Sequence, residues 1–128
     1  MKFSKKALFG IAAAATFTAS AAFAAYPEKP IKILVGFSAG GGTDTTARGF
    51  PSYMHEAPSL GGQPAYIVNL PGASGQKAAK AVLKEKADGH TLYIINIGTF
   101  IVGELAKGAD APYSVRNDWD NLGCMSQL

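Results

Sequence analysis

The chain has 128 residues, with 12 Lys and Arg against 9 Asp and Glu, 48% hydrophobic residues and 10% aromatics. That composition suits a packed globular protein and excludes a disordered tail, a collagen-like repeat and a disulfide scaffold. Lys2, Lys5 and Lys6 fall in a first segment that holds no acid, so the rest of the chain balances its charges and offers no basic face to nucleic acid.

Residues 1–24 combine a basic start, an uncharged apolar run from Ala7 to Ala19 and a small-x-small site at Ala22-Phe23-Ala24. This is the pattern of a secretory signal peptide. The apolar run is short of the roughly 20 residues that span a bilayer. The absence of an Arg-Arg pair, and of a Cys at the cleavage site, argues against twin-arginine export and a lipid anchor. The expected mature part is 25–128, exported and soluble.

Ile31-Lys32-Ile33-Leu34-Val35, bounded by Pro30 and Gly36, reads as a first strand. A Gly-rich loop leads into a helix from Thr45 to about Glu56, which Pro51 must kink or split. Ala65 to Asn69 is the second strand, and Leu70-Pro71-Gly72-Ala73-Ser74-Gly75 is its exit loop, with Ser74 placed to cap a helix running to about Lys86. In that helix Ala78, Ala79, Val82 and Leu83 form the inward face. Thr91 to Ile95 is the third strand, Asn96 to Thr99 its exit, and Phe100 to Ala106 a short apolar helix; beyond Lys107 the pattern fades into loop around Asp118-Trp119-Asp120.

The order β-α-β-α-β-α predicts an α/β fold with a mostly parallel sheet. All three strand-to-helix loops then leave one carboxyl edge, where open α/β sheets bind ligands. Those loops hold the candidate site.

Gly40-Gly41-Gly42-Thr43-Asp44 places unhindered N–H groups where an anion could meet them, or simply makes a tight turn. It lacks the Gly-Lys-Ser/Thr ending of a nucleotide phosphate loop, and Thr45 stands where a dinucleotide fingerprint needs its last glycine. Gly36-Phe37-Ser38-Ala39-Gly40 matches the G-x-S-x-G nucleophile elbow. An exported serine hydrolase using Ser38 is therefore the competing function, but Asp88 and His90 belong to the opposite end of the third strand. Ser74 and Thr99 read as helix caps whose hydroxyls could also face a carboxylate, whereas Arg48 and the helix lysines read as solvated, with no convergent cationic clamp. His55 and His90 lack ligand spacing and read as surface or helix-end residues, and Cys124 has no cysteine to pair with, so no metal, cofactor or disulfide is expected.

Five segments in order carry a family likeness: Tyr26-Pro27-x-Lys29-Pro30-Ile31-Lys32-Ile33-Leu34-Val35, Phe37-x-Ala39-Gly40-Gly41-Gly42-Thr43-Asp44-x-x-Ala47-Arg48, Pro71-Gly72-Ala73-Ser74-Gly75, Asp88-Gly89-His90-Thr91-Leu92 and Gly98-Thr99. Together they resemble the periplasmic solute-binding receptors of tripartite tricarboxylate transporters, the Bug-type proteins. The resemblance implies one lobe of a type II periplasmic-binding-protein fold, non-catalytic, that captures a small carboxylate for membrane permease subunits and is a monomer when complete. It also implies a ligand cleft lined by Phe37, Ser38, Ala39, Gly40, Gly41, Gly42, Thr43 and Asp44, by Ala73, Ser74 and Gly75, and by Gly98 and Thr99. Family members are well over twice as long, so the expectation is an N-terminal portion without the second lobe. Such a half-cleft is expected to bind weakly alone, since small-molecule sites bury most of their ligand; a truncated, non-binding remnant is the third reading.

Overall fold

The computed structural model describes residues 26–125. The expected signal peptide at residues 1–24 lies outside the described residues. Three strands, β1 (Ile31–Val35), β2 (Ala65–Asn69) and β3 (Thr91–Ile94), form one parallel sheet in the order β2-β1-β3. β1 pairs with both neighbours, Ile33 standing opposite Ile67 on one side and Leu92 on the other. That central place explains its nearly unbroken apolar run, since a strand covered on both faces has no side to give to water. Ile31, Ile33, Leu34 and Val35 are all buried.

The helices are α1 (Gly42–Ala47), α2 (Phe50–Glu56), α3 (Gln76–Val82) and α4 (Ile97–Lys107). The segment read as one helix is split at Arg48 and Gly49, and Pro51 then falls in the first turn of α2, where its missing N–H is no loss. α3 ends four residues before Lys86. Past Val82 the bonds tighten from Leu83 N to Ala79 O into Lys84 N to Ala81 O and Glu85 N to Val82 O, a 3₁₀-type finish, and Leu83, expected on the inward face, is exposed. None of the helices among the described residues is long and apolar enough to cross a membrane.

α4 begins three residues earlier than expected, because the Asn96 side chain caps it. The chain after Lys107 is mostly irregular and exposed, but it is anchored at Tyr113. Tyr113 is buried, stacks on Phe100 with centroids 4.2 Å apart and donates its hydroxyl to Phe100 O at 2.8 Å. With Ala79 they form a small core that Tyr93, Ile95, Val115 and Trp119 close over.

The amino edge of the sheet corrects a further expectation. His90 is not a surface residue: it is buried, edge-on to the Tyr26 ring at 4.9 Å, with Nδ1 3.2 Å from a carboxylate oxygen of Asp88. Tyr26 also donates to Gly89 O at 2.7 Å, and Lys29 pairs with Asp88 at 2.9 Å, which holds the Asp88 carboxyl well below the usual range. These contacts anchor the chain leading into β1 at the edge opposite the strand exits.

Candidate functional site

The three loops at the carboxyl edge are brought together by contacts, not merely by topology. β1 hands the chain to Gly36, which is buried against Gly75 in the loop after β2. A Cβ on Gly36 would stand 2.7 Å from the Cα of Gly75 and 2.8 Å from the hydroxyl of Tyr93. Tyr93, on β3, donates that hydroxyl to Gly75 O at 2.8 Å. Burial pushes its ionisation up, so it remains a neutral donor. One side chain from the third strand thus fastens the loops of the other two.

The loop after β1 is organised around Asp44, whose side chain is fully buried. Its Oδ2 accepts from Arg48 Nε and from Gly40 N, each at 2.7 Å, and its Oδ1 from Asn69 Nδ2 at 2.8 Å. The Arg48 bond, then the Gly40 amide and Asn69, lower the Asp44 carboxyl to about 2 against the opposing effect of burial. Asn69 also donates to Phe37 O at 3.0 Å and so joins the end of β2 to the loop after β1. Arg48 is exposed, as expected, while its Nε is held by this carboxylate. The N–H of Gly40 is taken by Asp44, and that of Gly41 by Ser38 O at 3.1 Å. Two amides of the glycine run therefore serve the loop itself, while Ser38, Ala39, Gly40, Gly41 and Gly42 form its exposed tip and Thr43 is half-buried.

The loop after β2 carries four successive residues of positive φ: Gly72 at 142°, Ala73 at 48°, Ser74 at 52° and Gly75 at 89°. Glycine takes such values freely, but each left-handed non-glycine residue costs on the order of 1–2 kcal/mol. Two adjacent ones persist only where the surroundings impose them, as functional loops often do. This overturns the expectation that Ser74 caps α3: the cap position is Gly75, no side chain caps the helix, and Ser74 lies exposed. The 3₁₀ turn Ala73–Gly75 packs against α4, bringing Gly98 and Thr99 to the same edge. Thr99 is likewise not the cap. It sits in the first turn, donating its N–H to Asn96 Oδ1 at 3.2 Å and its hydroxyl to Asn96 O at 3.0 Å.

A paired substitution separates the two loops. Asn96→Ala is expected to cost about 1 kcal/mol, the usual loss of a capping side chain, whereas Ser74→Ala is expected to stay within about 0.5 kcal/mol. Urea unfolding of both variants checks this, and an equal loss at the two positions would contradict the cap assignment.

The same geometry bears on the serine hydrolase reading. Ser38 lies beyond the carboxyl end of β1, whereas His90 precedes β3, its carbonyl accepting from Lys32 N near the start of β1. Four residues of extended strand lie between, about 13 Å at the usual rise. The His90 ring faces Tyr26 and Asp88, so this histidine and Ser38 are not assembled into a triad. Among the described residues no group of His, Cys, Asp and Glu could hold a metal ion.

The site residues read from the sequence thus converge on one edge, with Phe37 beside Gly75 and the Ala73–Gly75 turn against α4. Sequence reasoning missed the organisers. Asn69 passed as the last residue of a strand and Tyr93 as an interior strand residue; the only signals were a polar amide closing an apolar strand and a hydroxyl inside another.

No protein-family model matches the chain. Among curated proteins it is 31% identical to a UPF0065 protein in the gbd 5′ region of Cupriavidus necator, over 87% of this chain and 32% of that protein. It is 36% identical to protein BugT of Bordetella pertussis, over 73% of this chain and 28% of BugT. A solved structure described as a periplasmic transporter superposes with a TM-score of 0.62 at 37% identity, covering 70% of this chain and 29% of that one. The chain spans about a third of the length of the curated relatives it matches. That structure shares the fold over the matched part, and the chain belongs to the Bug (UPF0065) family, corresponding to an N-terminal portion of its members.

Proposed function

We propose that this chain supplies the N-terminal part of a periplasmic solute-binding receptor that captures a small carboxylate and delivers it, without catalysis, to the membrane permease subunits of a tripartite tricarboxylate transporter. The observation that carries the reading is the convergence of three strand-exit loops on one sheet edge in a chain of the Bug family. Export by the leader at residues 1–24 would place it in the periplasm. The ligand would meet the tip from Phe37 to Thr43, the strained Ala73–Gly75 turn, and Gly98 and Thr99 in the first turn of α4. Asp44 acts from beneath as the residue that holds the tip, since its oxygens are already engaged. With Arg48 paired to Asp44, recognition rests on hydroxyls and remaining backbone N–H groups, directly or through water.

A chimera in which residues 26–125 replace the matching part of BugT tests this reading. One acid from a panel of mono-, di- and tricarboxylates is expected to raise the melting temperature saturably, by roughly 4 °C at a hundredfold excess over Kd. The 128-residue chain alone should shift far less, because half a cleft buries too little of the ligand. A chimera that folds cooperatively but is moved by no carboxylate would sink the proposal.

A further inference from the structure

Charge is scarce at the carboxyl edge. Across the strand exits, from Gly36 to Arg48, from Leu70 to Lys77 and from Ile95 to Thr99, the charged residues are Asp44, Arg48 and Lys77. Arg48 has its counter-ion in the buried Asp44 at 2.7 Å, and that pair is neutral as a whole. Lys77 is exposed, and among the described residues no acid pairs with it. The net positive charge of the edge is therefore that of Lys77.

The position of Lys77 does not serve the helix that carries it. It lies in the first turn of α3, at the positive end of the helix dipole, where a cation is disfavoured. Its stem is laid on the neighbouring loop instead. A Cβ on Gly72 would stand 3.2 Å from Cδ of Lys77 and 3.4 Å from its Cβ, so the methylenes cover the bare backbone of that glycine. The Lys77 N–H also donates to Gly72 O at 3.4 Å. The ammonium is two bonds beyond Cδ, which keeps it within about 6 Å of the point where a side chain at position 72 would begin. Gly72 opens the Ala73–Gly75 turn, one of the three segments of the candidate site. Lys80 and, past the end of α3, Lys84 are about 4 and 10 Å farther from this edge.

We propose that Lys77 is a specificity-determining residue of this edge: its ammonium meets a second carboxylate of the solute, while the hydroxyls and N–H groups of the loops hold the first. Hydroxyls and amides are dipoles and serve a monocarboxylate and a dicarboxylate alike, whereas an unpaired cation at a fixed place on the rim separates solutes by charge. Dicarboxylates are thereby taken in preference to monocarboxylates of the same chain length. This inference rests on the carboxylate-capture reading.

The test uses the BugT chimera and acids of matched length that differ by one terminal carboxylate, succinate against butyrate and glutarate against pentanoate. Calorimetric titration of the parent chimera is expected to show one dicarboxylate bound about tenfold or more tighter than its monocarboxylate counterpart. Lys77→Met should weaken that dicarboxylate about tenfold and leave the monocarboxylate within about twofold, which removes most of the preference. Lys77→Arg keeps the charge and should keep the preference. Lys84→Met removes the same charge farther from the edge and should leave both affinities unchanged. All three side chains are exposed or replaced conservatively, and melting temperatures within about 3 °C of the parent would show that the variants fold. A Lys77→Met chimera that still prefers the dicarboxylate, or that loses both acids equally, overturns the proposal. A parent that binds the monocarboxylate as tightly overturns it too, and leaves the capture reading standing. So does a parent that binds neither member of either pair, while the wider panel of acids decides the capture reading separately.

Discussion

Alanine at position 36 is expected to destabilise the protein by about 3 kcal/mol and to lower its melting temperature by roughly 15 °C, a large effect for one methyl group. The methyl would stand 2.7 Å from the Cα of Gly75 and 2.8 Å from the Tyr93 hydroxyl. Gly75 cannot yield as a side-chain tip would, because the obstacle is backbone. Tyr93 can move only by breaking its 2.8 Å bond to Gly75 O, which leaves a half-buried phenol and a carbonyl without each other. The double variant Gly36→Ala, Tyr93→Phe should therefore lose less than the sum of the two single losses, since the phenylalanine removes one of the two obstacles. Gly42→Ala is the control: nothing lies within 4 Å of its added Cβ, and it opens α1, where alanine is the better helix former. Thermal melts followed by circular dichroism would decide, and a Gly36→Ala chain that melts with the parent would show that the loops are not in contact.

Asp44→Asn is expected to lower the melting temperature by about 10 °C or more, although it keeps the shape of the side chain. Every hydrogen bond at this carboxylate is one it accepts: Gly40 N and Arg48 Nε at Oδ2, Asn69 Nδ2 at Oδ1. In either orientation the amide of asparagine turns an N–H towards a donor, and it leaves Arg48 without its anion. The carboxyl is lowered from 3.8 to about 2 in the folded protein, so the native state favours the ionised form. Its stabilisation is fully present above about pH 4 and is lost as pH falls through 2. Asp88 acts in the same direction at the other end of the sheet, held low chiefly by Lys29. The parent chain will therefore lose stability on acidification through two groups, and the difference between parent and Asp44→Asn isolates one of them. Urea midpoints measured from about pH 6 down to pH 2 should converge for the two proteins at the acid end. A gap that persists unchanged to pH 2 would refute the role given to the Asp44 charge.

What could be read from the sequence, and what could not, divides along the range of the interactions involved. β1 and β2 lie at the expected residues because an apolar run between Pro or Gly breakers is a local signal. The break before Pro51 was legible for the same reason. Ser74 misled because a serine before a helix has the composition of a cap, while its left-handed φ of 52° is imposed by the packing of the loop against Gly36, Tyr93 and α4. The true cap of α4, Asn96, stands three residues before Thr99 and could have been found from that spacing. Tyr113 gave no periodic signal, since its partner Phe100 lies 13 residues earlier and the contact is a ring stack. His90 was misplaced because its burial depends on Tyr26, 64 positions away in the chain. In the site itself, the topology of a parallel sheet located the loops, but Asn69 and Tyr93 fasten them through pairs separated by 18 to 32 residues, which no local pattern records.

The contact of Gly36 with Gly75 beneath the Tyr93 hydroxyl has a consequence for the energetics of capture. Loops that are free in solution must lose conformational freedom when a ligand arrives, and that loss is subtracted from affinity. Here the exits of β1 and β2 touch backbone to backbone and are pinned by a side chain of β3, so their freedom has already been lost during folding. Under the proposed function, a solute would meet these two strand exits already fixed relative to one another, with that ordering cost met during folding.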